Sequence, residues 1–139
     1  MIGLDTNVLV RIAINDTSDP TSAAQTLAAR TRVSWLTPSQ PGFVTHIVVV
    51  ELWWVLTRVY RYSAIDTAAF IAQLCDADCL LVQDREAVTT AIAAVRDHQA
   101  DFPDALIVAV SRANDCPTVE TFDQDAIKLA GMVPIEDRQ

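Results

Sequence analysis

The stretch GFVTHIVVVELWWVLTRVY, residues 42–60, contains a strand pattern that passes directly into a helix pattern. GFVTH is a short apolar run, and Thr45 is a residue type that caps helices, so we predict a helix from His46 to about Tyr60. Glu51 is out of place in this helix, because its neighbours three and four positions away are all apolar. A carboxylate buried on such a face is costly unless something pairs with it. Glu51 therefore either has a cationic partner or belongs to a functional site.

The same alternation of strand and helix continues on both sides of this stretch. Further strands are predicted at MIGLD, CLLVQ, TVETF and VPI. The intervening helices are predicted to begin near Thr6, which is a possible cap, and at Pro20, Ser63, Asp84, Phe102 and Asp123. Strands that alternate with helices need crossover connections, which favour a parallel sheet with helices packed on it. We therefore predict an α/β sandwich in a single domain over residues 1–139.

The net charge of the chain limits how it can bind a polyanion such as nucleic acid. It has 18 acidic and 10 basic residues, which gives a formal net charge of −8. An acidic chain lacks the general attraction that draws basic proteins to nucleic acid, so a polyanionic substrate would need bound cations or clustered arginines. Lys128 is the only lysine, which removes most chemistry that depends on a lysine side chain.

Cysteine, glycine and hydropathy patterns exclude several other classes. The three cysteines are an odd number without CxxC spacing, which favours reduced thiols over a disulfide or a metal site. None of the three glycines lies in the spacing of a nucleotide-binding loop. No export signal is apparent, and no apolar run reaches the roughly 18 residues of a membrane span. We expect a cytoplasmic protein with no membrane association.

Acidic residues from four separate segments are expected at one edge of the predicted sheet. Asp5 and Asp123 end two of the strands, and the carboxyl ends of parallel strands are where ligands bind. Asp101 and Asp104 begin the helix that precedes TVETF, and Glu51 lies in the second turn of the helix that follows GFVTH. The sequence therefore predicts that these acids converge on one crevice.

Each acid alone also has a purely structural interpretation. Asp101 and Asp104 have the spacing of a helix-capping box, and Asp5 and Asp123 are able to open ordinary turns or surface helices. Carboxylates that meet in one crevice repel one another unless a cation is present. Oxygen ligands suit Mg²⁺ or Mn²⁺, and such a cage binds phosphates and activates water. The combined pattern favours metal-assisted phosphoryl transfer.

Four motifs along the chain resemble those of PIN-domain ribonucleases, and among these most of all the VapC toxins of bacterial toxin–antitoxin pairs. They are LDTNVLV (4–10), VVELWWVL (49–56), DFPDALIVAVS (101–111) and ETFDQDAIKLAG (120–131), and they occur in the order that the family shows. The resemblance implies a PIN-like α/β/α sandwich with a central, mostly parallel sheet of about five short strands. It also implies catalytic and metal-binding roles for Asp5, Glu51, Asp104 and Asp123, supported by Thr6, Asn7, Asp101 and Thr121. The chain departs from the pattern at Ala126, where many members carry an aromatic residue.

The resemblance further implies a biological role. It predicts a Mg²⁺- or Mn²⁺-dependent endoribonuclease that hydrolyses RNA to leave a 3′-hydroxyl and a 5′-phosphate, acting as the toxin of a toxin–antitoxin pair. The implied partners are RNA, a VapB-like antitoxin and a second copy of the chain. Trp53 and Trp54 are adjacent and cannot face the same way, so one of them is a candidate for a surface or an interface. Candidates for RNA contacts or for structural ion pairs are Arg11, Arg58, Arg61 and Arg112.

Other functions remain open at this point. A Mg²⁺-binding phospho-acceptor domain usually has an acidic pair after the first strand and a lysine at a late strand end, whereas here Asp5 is single and Lys128 lies within a short helix. A phosphatase of the haloacid dehalogenase type needs Asp-x-Asp after the first strand, but residue 7 is Asn. A non-catalytic binding module on the same fold is the third alternative, and the presence of all four acids argues against it.

Overall fold

A computed structural model describes residues 1–136 of the chain. Its strands are β1 Ile2–Gly3, β2 Gly42–Val44, β3 Leu80–Val82, β4 Glu120–Thr121 and β5 Val133–Pro134. Its helices are α1 Thr6–Ala13, α2 Pro20–Ser34, α3 His46–Trp54, α4 Ala64–Asp76, α5 Arg85–His98, α6 Phe102–Ala113 and α7 Gln124–Ala130. The predicted order of strands and helices is confirmed, and the architecture is the expected mixture of helices and parallel strands.

The strands do not form one five-stranded sheet over the described residues. β1, β2 and β3 form a parallel sheet in that order, and β4 pairs in parallel with β5 in a separate two-stranded ladder. The prediction of one central sheet of about five strands is corrected in this respect. β4 and β5 contribute two residues each, and among the described strands they pair only with each other.

Helix starts follow the capping chemistry of the sequence, with one correction. The side chains of Asp19, Thr45 and Ser63 accept backbone hydrogen bonds at the starts of α2, α3 and α4. The first helix is capped by Asp5, whose carboxylate accepts from the Thr6 backbone N–H, so Thr6 is the first helical residue and not the cap. The helix that begins at His46 continues beyond Trp54 through a π-helical segment, Val55–Val59, and ends near the predicted residue.

The core lies between the three-stranded sheet and the helices that cover it. Its fully buried side chains include Val44 on β2, Leu52 and the π-helical Leu56, and Phe102 on α6. The Trp53 ring stacks on Phe102 with 5.2 Å between ring centroids, which fixes α3 against α6. Among the helices of residues 1–136, none has the length and apolar character that a membrane crossing requires.

Candidate functional site

Three residues of the first two motifs form a hydrogen-bonded unit after β1. Asp5 follows the strand and caps α1, with 2.8 Å between its Oδ1 and the Thr6 backbone nitrogen. Thr6 is buried, with 5% of the residue exposed, and its hydroxyl donates to Glu51 Oε2 at 2.8 Å. This bond connects the start of α1 to the middle of α3. We call Asp5, Thr6 and Glu51 the N-terminal half of the site.

Glu51 lies at the surface and not inside the apolar core. Its helix neighbours Ile47 and Trp54 are also exposed, whereas Val48 on the same helix is buried. The expected cost of a buried carboxylate therefore does not arise, and the partner of Glu51 is a neutral hydroxyl. Within residues 1–136, no cationic side chain forms a salt bridge with it.

Three acids of the last two motifs influence one another electrostatically, and we call Asp101, Asp104 and Asp123 the C-terminal half of the site. Partial burial raises the pKa of Asp104 above its ordinary value, and the charges of Asp101 and Asp123 raise it further. Burial also raises the pKa of Asp101, while the nearby Arg58 guanidinium acts in the opposite direction. The three carboxylates are therefore close enough for their charges to interact.

The backbone around Asp123 is fixed by local hydrogen bonds. Its Oδ1 accepts from the backbone N–H groups of Asp125 and Ala126 at 2.9 and 3.1 Å, which caps α7. Its own backbone N–H donates to the Thr121 hydroxyl at 3.0 Å. Thr121, expected to support the site, thus orders the turn that carries Asp123. Asn7 is exposed on α1, and its side chain makes no hydrogen bond within residues 1–136.

A small cavity of about 270 Å³ opens beside the C-terminal half. Its lining combines apolar and polar side chains, which are Trp53, Ala64, Gln99, Ala100, Asp101, Asp104, Asp125 and Leu129. A larger open groove of about 690 Å³ lies between α5, α6 and α7, and none of the six residues of the two halves is among those that line it. Asp101 and Asp104 therefore border the smaller cavity, whereas Asp5, Glu51 and Asp123 are not among its lining residues.

The two halves do not close into one metal cage in this arrangement. Over residues 1–136, no group of three or more His, Cys, Asp or Glu side chains is placed so that it could hold a metal ion together. The donor set nevertheless fits a hard divalent cation, since it consists of carboxylate oxygens. The mutual repulsion that raises the pKa of Asp104 is also what a bound cation would relieve.

A comparison with protein families identifies the fold that carries this site. The family model described as PIN domain matches residues 2–132, which is nearly the whole chain. The chain belongs to the PIN domain family. PIN domains are typically nucleases, and such enzymes are hydrolases that generally use divalent metal ions. A search of curated proteins finds no match to the chain.

Two arginines of this PIN domain have clear surroundings. The Arg11 guanidinium pairs with the Asp16 carboxylate at 3.2 Å and donates a hydrogen bond to Gln25. Arg11 thus forms a structural ion pair, which was one of its two predicted roles. Arg58 lies over the Trp54 ring with 5.4 Å to the centroid. Trp54 is 43% exposed and Trp53 is buried, which confirms that one of the two tryptophans reaches the surface.

Two features of the PIN domain were not anticipated. Phe122, directly before Asp123, is 86% exposed, although TVETF was interpreted only as a strand. The signal in the sequence was a large apolar residue between two polar residues at a strand end. His46 Nδ1 lies 3.0 Å from the Asp84 carboxylate, after β2 and β3, and the separation of 38 residues gave no signal for this pair.

Proposed function

We propose that this PIN domain is a Mg²⁺- or Mn²⁺-dependent endoribonuclease that acts in the cytoplasm as the toxin of a toxin–antitoxin pair. The observation that carries the proposal is the raised pKa of Asp104, to which the charges of Asp101 and Asp123 contribute, in a chain that belongs to the PIN family. A carboxylate whose pKa is raised by burial and by neighbouring negative charge is stabilised in its charged form when a cation binds beside it, and such groups are candidates for a functional site.

The acids take distinct roles in this proposal. Asp5, Asp104 and Asp123 would hold the metal ion, and Glu51 completes the site and orients or deprotonates the attacking water. A bound divalent ion would supply Lewis acidity, which favours deprotonation of water and offsets the charge that builds on the phosphate. Water adds to phosphorus while the bond to the 3′-oxygen breaks, which leaves a 3′-hydroxyl and a 5′-phosphate.

The residues around the acids act as supports. The Thr6 hydroxyl orients the Glu51 carboxylate through its 2.8 Å bond. Thr121 orders the turn of Asp123, and Asp101 adds negative charge next to Asp104. Asn7, at the exposed start of α1, is close in sequence to Asp5 and is assigned a supporting role by the family pattern.

We also propose a VapC-type toxin that binds a VapB-like antitoxin and pairs with a second copy of itself. The support in the structure is apolar surface that the monomer leaves uncovered. Ile47, Val59 and Ile65 are 63%, 67% and 54% exposed on α3, the π-helical segment and α4. Large exposed apolar side chains on successive elements are typical of surfaces that other chains cover.

The test is cleavage of total cellular RNA by the purified protein with Mg²⁺, with Mn²⁺ and with EDTA. The chain is first freed of any antitoxin by denaturation and refolding, and it is compared with Asp104→Asn and Asp78→Asn prepared identically. Asp78 lies in the exposed turn before β3, at the opposite edge of the sheet from the acids, so its substitution makes the same change of charge away from the site.

Metal-dependent cutting by the wild type and by Asp78→Asn, with loss in Asp104→Asn, is the expected result. Sequencing of the cut ends then gives the target RNA and the bond that is broken. Cutting that Asp104→Asn retains would contradict the assignment of the site. An antitoxin-free protein that cuts none of the cellular RNA would support the binding-module alternative.

A further inference from the structure

Phe122 is the most exposed large apolar side chain among residues 1–136. An aromatic ring in water lacks the stabilising free energy that its burial would supply. The 86% exposure of Phe122 therefore needs an explanation. Its position gives one, because it directly precedes Asp123 at the carboxyl end of β4. The ring is thus the immediate neighbour in sequence of an acid assigned to the proposed site.

The backbone that presents this ring is ordered on both sides. Thr121 pairs with Pro134 in the β4–β5 ladder, and its hydroxyl accepts from the Asp123 backbone N–H at 3.0 Å. Asp123 in turn caps α7 through two hydrogen bonds. A ring held on a fixed backbone loses little conformational entropy when a flat partner stacks on it.

An aromatic face beside a phosphate-cutting site suits a nucleobase. Every base has a π-face, and bases of unpaired strands stack on aromatic side chains, whereas bases inside a duplex are already stacked on each other. An acidic protein gains little from the RNA backbone, so stacking is a source of affinity that its net charge does not oppose.

A cation near the same acids completes the contact with the strand. Arg58 is exposed, lies 5.4 Å from the Trp54 ring centroid, and is close enough to lower the pKa of Asp101. No carboxylate of residues 1–136 forms a salt bridge with it. Its guanidinium is thus held in place by the indole ring and is open to a phosphate oxygen.

We propose that Phe122 and Arg58 position the RNA strand, with a base stacked on the Phe122 ring and a backbone phosphate contacted by the Arg58 guanidinium. The proposal rests on the proposed nuclease function and names two positioning residues for it. Phe122 and Arg58 bind and position the strand, and they take no part in the bond-breaking step.

The test measures binding and cutting separately. A short fluorescein-labelled RNA of mixed sequence is used as a single strand and annealed to its complement, with Ca²⁺ replacing Mg²⁺ for fluorescence anisotropy. The variants are Phe122→Ala, Phe122→Trp, Arg58→Gln and Trp35→Ala. Trp35 is the matched control, since it is 68% exposed at the end of α2, on the side of the sheet where β2 begins.

The wild type should bind the single strand more tightly than the duplex. Phe122→Ala should bind it about 5- to 100-fold more weakly, as expected for loss of one stacked base. Phe122→Trp should restore the affinity, because the aromatic face is what matters. Arg58→Gln should reduce the salt dependence of binding, and Trp35→Ala should leave affinity and salt dependence unchanged.

Three results would overturn the proposal. The first is a Phe122→Ala variant that binds the single strand as tightly as the wild type does, which leaves the nuclease assignment intact if the wild type cuts RNA. The second is tighter binding of the duplex than of the single strand. The third is a Phe122→Ala variant that changes the oligomeric state in gel filtration while its RNA affinity is unchanged, since the ring would then contact protein. A wild type that neither binds nor cuts any RNA would refute the nuclease function itself.

Discussion

The N-terminal and C-terminal halves of the candidate site are stabilised in opposite ways. In the first, Asp5 caps α1 and Thr6 donates to Glu51, so the oxygens of both acids accept hydrogen bonds. In the second, partial burial raises the pKa of Asp101 and of Asp104, and the charges of Asp101 and Asp123 raise that of Asp104 further, although Asp123 itself caps α7. The first half is assembled without a ligand, whereas the second contains repulsion that a cation would remove.

This difference suggests a division of labour between the halves. A carboxylate that is held by hydrogen bonds is suited to orienting a water molecule, because its geometry is fixed in advance. Carboxylates that repel one another are suited to binding a cation, because binding releases the stored electrostatic energy. The stack of Trp53 on Phe102 joins α3 of the first half to α6 of the second.

The largest predicted effect tests whether the halves serve one reaction. Glu51→Gln keeps an oxygen for the Thr6 hydroxyl and removes the charge, and Asp104→Asn makes the matching change in the other half. Each should lower RNA cutting at least about 100-fold, which is the upper range for residues that only support a metal ligand. The double variant should lose little more, because residues that act as a unit are not additive.

Single-turnover cleavage rates of the four proteins measure this coupling. Asp78→Asn serves as the control for the loss of one acidic charge at the far edge of the sheet. A double variant whose loss equals the product of the two single losses would show that the halves act independently.

A second prediction concerns the bond that orders the first half. Thr6→Val keeps the shape of the buried side chain but removes the donor to Glu51, so cutting should fall about 10-fold. Thr6→Ser keeps the hydroxyl and should retain most of the rate. If Thr6→Val cuts as fast as Thr6→Ser does, the hydroxyl has no role in positioning Glu51.

A third prediction concerns the joint between the halves. Phe102→Leu removes the ring that stacks on Trp53 and leaves a void, which should lower the free energy of unfolding by about 1–2 kcal/mol. Urea denaturation measures this loss. Phe122→Leu is the matched control, since the same change at an exposed ring should leave the unfolding free energy nearly unchanged. Equal losses in the two variants would contradict the described packing.

The smallest predicted effect is on thermal stability without a metal ion. Because the pKa of Asp104 is raised in the folded state, the folded protein binds its proton more tightly than the unfolded chain does. The free energy of unfolding therefore falls as the pH rises from 3.8 through the raised pKa. Asp104→Asn lacks this loss and should melt about 1–3 °C higher at pH 7 in EDTA.

Differential scanning calorimetry over a pH series checks this sign. The advantage of the variant should shrink as the pH is lowered towards 3.8, and added Mg²⁺ should raise the melting temperature of the wild type alone. A variant that melts lower than the wild type at pH 7 would show that Asp104 is stabilised, not strained, by its surroundings.

Much of the fold could be predicted from the sequence because its signals are local. Caps such as Asp19, Thr45 and Ser63 act on backbone groups within three residues, and hydrophobic periodicity reports which face of an element is buried. The order of strands and helices follows from these signals. The assignment of all the acids to one edge stays a prediction, because Asp123 follows β4, which pairs with β5 and not with the first three strands.

The remaining features depend on contacts that are distant in sequence. The separation of β4 and β5 from the other three strands depends on where the chain packs them, which no local pattern records. Glu51 sits among apolar neighbours in sequence but is exposed, because Ile47 and Trp54 on its side of α3 are left uncovered. The exposure of Phe122 likewise could not be predicted, since an apolar residue at a strand end is more often buried.

The central claim is that both halves contribute to one divalent metal site, and Mn²⁺ binding followed by electron paramagnetic resonance tests it most directly. The measurement compares the wild type with Asp5→Asn from the first half and Asp104→Asn from the second. The account predicts that the wild type binds Mn²⁺ and that each variant binds it at least about 10-fold more weakly. Binding of Mn²⁺ by Asp5→Asn with wild-type affinity would contradict a shared site.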